Sequence, residues 1–195
     1  TDSHRLSSSS LEIENIDDFT SLILPRKTVF QLCTLLTESS EKLTIQTSEN
    51  KIKFNIGNMK LISKVIDGKF PDYKKVIPVS NDKTLIVSSK EFISSIERVA
   101  SVSLDRKEGV KLAVNKDNVQ LSVNSANSGE GNVKIKAEFN SGNLNISFNS
   151  KYLTDIASEI EDKNLKINLK DSTSPVLIED LSDKDSFYVL MPMKI

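Results

Sequence analysis

Leu144-Asn145-Ile146-Ser147-Phe148-Asn149-Ser150-Lys151-Tyr152-Leu153, continuing to Leu165-Lys166-Ile167-Asn168-Leu169, decides the fold of this chain. Leu144, Ile146 and Phe148 alternate with polar residues, the period of a half-buried strand. After Asn149-Ser150 the period changes. Leu153, Ile156, Ala157 and Ile160 fall on one face of a helix, and Leu165, Ile167 and Leu169 then restore the period of a strand. Val176-Leu177-Ile178 and Phe187 to Met191 extend the pattern, with Asp171-Ser172 forming a turn.

Working outward, the same unit occurs twice more upstream, each copy about sixty residues long. In the second copy Leu85-Ile86-Val87 precedes Ser88, whose spacing to Glu91 is that of a capping box, and Phe92, Ile96 and Val99 form the helix stripe. Its strands are Val110 to Val114, Val119 to Val123 and Val133 to Ala137. In the first copy Leu22-Ile23-Leu24 leads into Pro25, and Val29, Leu32, Cys33 and Leu36 make the stripe expected to face the core. Leu43 to Ile45, Ile52 to Ile56 and Leu61 to Val65 follow as strands. Lys27, Lys90 and Lys151 mark equivalent helix starts. The pattern predicts an α+β fold of repeated β-α-β-β-β units, antiparallel meanders each backed by a helix. Gly68 and Pro71 interrupt both periods within Asp67-Gly68-Lys69-Phe70-Pro71-Asp72-Tyr73, so a domain junction is placed there.

Composition excludes several functional classes. A net charge of -1 over 195 residues gives no whole-chain attraction to nucleic acid or membrane, so a DNA contact must be local. The single cysteine, Cys33, cannot form an intramolecular disulfide, which fits a reducing cytoplasm, and there it reads as a buried apolar residue. Neither an apolar run long enough to span a bilayer nor a signal-peptide layout is present. One Cys and one His fall short of a zinc set, and the six glycines make no phosphate-binding pattern, so no metal or cofactor is expected. A histidine-based hydrolase would have to use His4 with Asp2 and Ser7 to Ser10; a capping or surface role suits His4 better, with a place beside a ligand groove left open. The chain begins at Thr1 without an initiator methionine, which suggests a piece of a longer polypeptide.

Four segments carry a resemblance: Thr1-Asp2-Ser3-His4-Arg5-Leu6, Ile66 to Tyr73, Phe148-Asn149-Ser150-Lys151-Tyr152-Leu153, and Tyr188-Val189-Leu190-Met191-Pro192-Met193-Lys194-Ile195. Together, in this order, they resemble the bacterial DNA polymerase III beta subunit family, the sliding clamps, over the C-terminal half. The resemblance implies a non-catalytic processivity factor of DNA replication. It implies the DNA-clamp fold, with sheets outside and helices on the inner face of a ring-shaped homodimer around duplex DNA. Residues 1–72 would be the C-terminal half of the middle clamp domain, and 73–195 the complete last domain. A ring that slides should touch phosphates weakly and without reading sequence. Arg26 and Lys27 at the first helix start, with Arg106 and Lys107 after the second helix, are the implied lumen residues.

The resemblance also implies an apolar groove for short peptides of polymerases and the clamp loader. Thr1, Ser3, His4, Arg5 and Leu6 would form one wall, Pro71, Lys75 and Val76 the junction, and Val189, Leu190, Met191, Pro192 and Met193 the C-terminal side. Aliphatic walls with flexible Met suit varied anchors. Ser3 stands where the family usually has Gly, and Lys75 replaces a common Arg, which gives up bidentate bonding. Ring closure would join Ser101, Val102 and the stretch from Asn127 to Val133 to an N-terminal domain that this sequence does not include, so the chain alone is expected to be a monomer or a non-native dimer. The competing reading is a repeat-built protein-interaction scaffold with no link to DNA.

Overall fold

A computed structural model describes residues 1–13, 21–37, 40–102, 109–125 and 129–194. In chain order the elements are β1 (Arg5–Ser9), α1 (Arg26–Thr37), β2 (Leu43–Ser48), β3 (Lys51–Ile56), β4 (Met59–Lys64), a 3-10 turn (Tyr73–Val76), β5 (Lys83–Ser88), α2 (Ser89–Ala100), β6 (Gly109–Asn115), β7 (Asn118–Ser125), β8 (Gly129–Lys136), β9 (Glu138–Phe139), β10 (Leu144–Asn149), α3 (Ser150–Ala157), β11 (Asn164–Leu169), β12 (Val176–Asp180) and β13 (Ser186–Leu190). They form two compact units, one of residues 1–12 with 73–195 and the other of residues 13–72. The opening strand therefore belongs with the C-terminal unit.

Each helix of the larger unit starts where its polar residue can cap it. Ser88 Oγ accepts from the Glu91 N–H at 3.4 Å, and Asn149 Oδ1 accepts from the Tyr152 N–H at 3.1 Å, satisfying N–H groups that the helix itself leaves open. The apolar stripes then decide orientation. Phe92, Ile96 and Val99 of α2 are at most 1% exposed, and Leu153, Ile156 and Ala157 of α3 are buried in the same core.

That core lies between two antiparallel sheets, one ordered β1-β13-β12-β11-β5-β9 and the other β10-β6-β7-β8. The strand leading into each helix joins the meander of the other copy: β5 pairs with β11, and β10 pairs with β6. The repeats are thus interlocked through their leading strands, a pairing that periodicity alone did not show. Local alternation specifies which face of a strand is buried but not which neighbour it finds.

Helix α2 also packs on β8, where the approach is closest at Gly131. A Cβ there would lie 2.9 Å from Val99's neighbour Val102 at Cγ2 and 3.1 Å from the Val99 carbonyl oxygen. The second contact is with backbone, which cannot rotate away. We expect Gly131→Ala to lower stability by about 1–3 kcal/mol, the usual cost of overpacking, measured as a shift in urea midpoint at unchanged m-value.

In the smaller unit, β2-β3-β4 form a three-stranded sheet, with Ile23 bridging to Ile66. Ile52, Phe54 and Ile56 of β3 are buried. Thr28 of α1 is buried too, its hydroxyl 2.7 Å from that of Ser63 on β4. The expected α1 stripe is corrected here. Val29 and Leu36 are 41% and 38% exposed, and Cys33 is exposed rather than packed in a core. The helix rests on its Thr28 side, where the hydroxyl contact with Ser63 lies, and Val29, Cys33 and Leu36 are left exposed.

Candidate peptide groove

The groove candidates of the larger unit converge because β1 pairs with β13 over its whole length, Arg5 opposite Leu190 and Leu6 opposite Val189. The pairing continues past the strand end, where the Met191 N–H donates to the His4 carbonyl at 2.9 Å. The Met193 N–H in turn donates to Ser147 at 2.7 Å. The opening segment and the last residues are therefore neighbours, held by backbone hydrogen bonds.

Alternation along β13 then divides the side chains between two faces. Leu6 and Val189 share one face, 6% and 3% exposed, and Leu177 lies opposite Val189 on the same face. Leu190 points the other way, into the core, and is wholly buried. Met191 is 42% exposed, and Val76 is 53% exposed. Lys75 is exposed. Pro71 belongs to the smaller unit.

The opening loop is shaped by its own polar groups. Asp2 Oδ1 accepts from the N–H groups of His4 and Arg5, both at 3.1 Å, and Thr1 Oγ1 donates to the Arg5 carbonyl at 2.7 Å. Burial alone would raise the Asp2 carboxyl, but these bonds and Arg5 bring it below its ordinary value. Inside the turn Ser3 adopts φ 72°, a left-handed conformation that costs a non-glycine residue about 1 kcal/mol. A glycine would meet no such strain.

Sequence reasoning missed two contributors on α3. The Arg5 guanidinium lies 4.3 Å from the centroid of the Tyr152 ring, which stacks with the His4 ring at 6.4 Å and 25°. Asp155 accepts from Arg5 Nη1 at 2.7 Å. Tyr152 was visible only as one letter of the Phe148 to Leu153 segment, and nothing in that segment's period separates it from a helix surface residue.

Among the nucleic-acid candidates, Arg26 and Lys27 are exposed in the first turn of α1, with Arg26 Cζ 5.2 Å from the Phe30 ring centroid. Arg106 and Lys107 lie outside the described residues, as do Asn127 and Ser128 of the expected ring-closing stretch. Its described remainder forms part of β8, an edge strand. No group of residues suited to a metal ion occurs among those described, and no described helix is long and apolar enough to cross a membrane.

Two interlocked β-α-β-β-β copies with paired helices over antiparallel sheets define a helix-backed clamp-type module. Family models agree: residues 1–72 match the DNA polymerase III beta subunit, central domain, and residues 74–194 its C-terminal domain. The chain belongs to the DNA polymerase III beta subunit family. Its relatives include the beta sliding clamps of Caulobacter vibrioides, 34% identical, and Escherichia coli, 31% identical, each matched over 100% of this chain and 53% of its own length. The sliding clamp of Bartonella birtlesii solved with griselimycin superposes with TM-score 0.95 at 39% identity, again over 100% of this chain and 53% of its own. The chain spans about half the length of the curated relatives it matches.

Proposed function

We propose that this chain is the C-terminal part of a DNA sliding clamp, a non-catalytic processivity factor that works in the cytoplasm on duplex DNA. In this reading, residues 1–72 are half of a middle domain and 73–195 a complete last domain. The whole protein would form a ring-shaped homodimer, while the chain alone is monomeric. The observation that carries the peptide-docking part is the pairing of β1 with β13, which sets Leu6 and Val189 side by side and continues to the exposed Met191. A groove for peptides of polymerases and the clamp loader would be built from Thr1, Ser3, His4, Arg5, Leu6, Lys75, Val76, Val189, Met191, Pro192 and Met193 of the larger unit. Leu190 supports that wall from inside the core.

Ring closure is supported by β8, which has a strand neighbour on only one side among the described residues and whose outer edge can extend a sheet into a second subunit. A fluorescent peptide carrying a polymerase clamp-binding motif should bind the chain in the micromolar range, and a scrambled peptide should not. Absence of binding by the motif peptide would remove the groove.

For DNA, Arg26 and Lys27 are the proposed contacts in the described chain, with Arg106 and Lys107 proposed from sequence. Phosphate contacts without base readout give an affinity that depends on salt but not on sequence. Replacing both Arg26 and Lys27 by Ala should reduce the slope of log affinity against log salt by about 2 on a short duplex. An unchanged slope would place the DNA contacts elsewhere.

A further inference from the structure

The Arg5 guanidinium is held on three sides. Nε donates to Asp2 at 3.1 Å, Nη1 donates to Asp155 at 2.7 Å, and the Tyr152 ring lies beneath at 4.3 Å. Among the described residues, Nη2 has no partner, so its N–H groups can serve the carbonyl of a bound chain. Asp155 lies one turn beyond Lys151 on α3, and Lys151 Nζ donates to both of its oxygens, at 3.1 and 3.4 Å. One carboxylate therefore serves a cation in the groove wall and another at the start of the helix.

We infer that Asp155 is a positioning residue for the peptide groove: it holds Arg5 over Tyr152, while Lys151 shares the same carboxylate from its exposed side. This rests on the groove reading above. Distance and exposure decide which cation has the stronger claim. Arg5 makes the shorter contact and its side chain is 28% exposed, whereas that of Lys151 is 60% exposed and more fully screened by water. Burial alone would raise the Asp155 carboxyl, yet the hydrogen bonds from Arg5 and then Lys151 lower it, so it is ionised and able to hold both. Asp2 does not substitute for it, since Asp2 engages Nε and leaves Nη1 to Asp155.

The test measures anisotropy of the fluorescein-labelled motif peptide with the wild-type chain and the variants D155N, D155E, K151Q, R5Q and R5Q/D155N. D155N should weaken binding about fivefold, as expected for a partly exposed ion pair, with D155E restoring most of it. K151Q should not weaken binding, and D155N should add nothing in the R5Q background. A D155N effect that persists undiminished with R5Q, or a K151Q loss as large as that of D155N, would overturn the inference.

A second measurement needs no peptide. Hydrogen exchange of the Arg5 Nη1 N–H groups, which Asp155 holds, followed by NMR in the free chain, should be slow in wild type and faster in D155N. Equal rates would overturn the positioning role. If the wild-type chain fails to bind peptide, the groove reading falls, and this exchange rate still decides whether Asp155 positions Arg5.

Discussion

Met191→Ala should weaken binding of the motif peptide by about thirtyfold while leaving the melting temperature within a degree or so, and Leu190→Ala should do the reverse. A buried contact at the centre of a peptide interface is commonly worth about 2 kcal/mol, which is that factor in affinity. Met191 is 42% exposed in the free chain, so trimming it removes contact area for a partner and little from the core. Leu190 is fully buried, opposite Val176 on β12, among residues contributed by both sheets and both helices. Truncation there leaves a cavity and should cost about 2–5 kcal/mol in urea denaturation. Two adjacent residues thus separate docking from stability. Equal loss of stability in the two variants would show that Met191 is part of the core, and equal loss of peptide binding at preserved stability would place Leu190 in the groove.

Asp180→Ala should be a damaging polar substitution, lowering stability by about 2–3 kcal/mol at neutral pH through part-buried donors left without an acceptor. Asp180 closes β12 and is 5% exposed. Its Oδ1 accepts from the Ser182 N–H at 2.8 Å and hydroxyl at 2.6 Å, while Oδ2 accepts from the Glu161 N–H at 2.8 Å. The carboxylate ties the segment after α3 to the turn between β12 and β13. Burial by itself would raise its pKa, but the bonds from Ser182, Glu161 and Asp162 together hold it below the ordinary 3.8.

Because the folded-state value is the lower one, this contribution is complete above 3.8 and is lost as pH falls through the folded value. Wild type and Asp180→Ala should therefore differ most at neutral pH and converge on acidification. A difference that stayed constant down to the acid transition would mean that the charge of Asp180 contributes nothing beyond its shape.

Much of this architecture can be read from local chemistry. The capping oxygens of Ser88 and Asn149 and the stripes Phe92-Ile96-Val99 and Leu153-Ile156-Ala157 depend on residues within a turn or two of one another, and the structure places them accordingly. The same reading failed for α1. Val29, Cys33 and Leu36 have the spacing of a core stripe yet lie exposed, since amphipathicity shows that a helix has an apolar side without showing what that side meets. In the groove, the tail Met191-Pro192-Met193 and the opening Thr1 to Leu6 were legible as segments. Tyr152 and Asp155 were not, because their roles arise from an Arg5 that is remote in the chain.

By itself, then, the sequence determined the recurrence of the helix-backed repeat, the Ser88 cap and the inward faces of most strands, all consequences of local chemistry and fixed helical and strand periods. Only the tertiary structure decided that β5 and β10 exchange meanders, that the opening strand joins the last one, and that Leu190 and Met191 divide between core and surface. Those outcomes depend on partners more than a hundred residues away in the case of β1 and β13, and periodicity contains no information about which distant backbone completes a ladder.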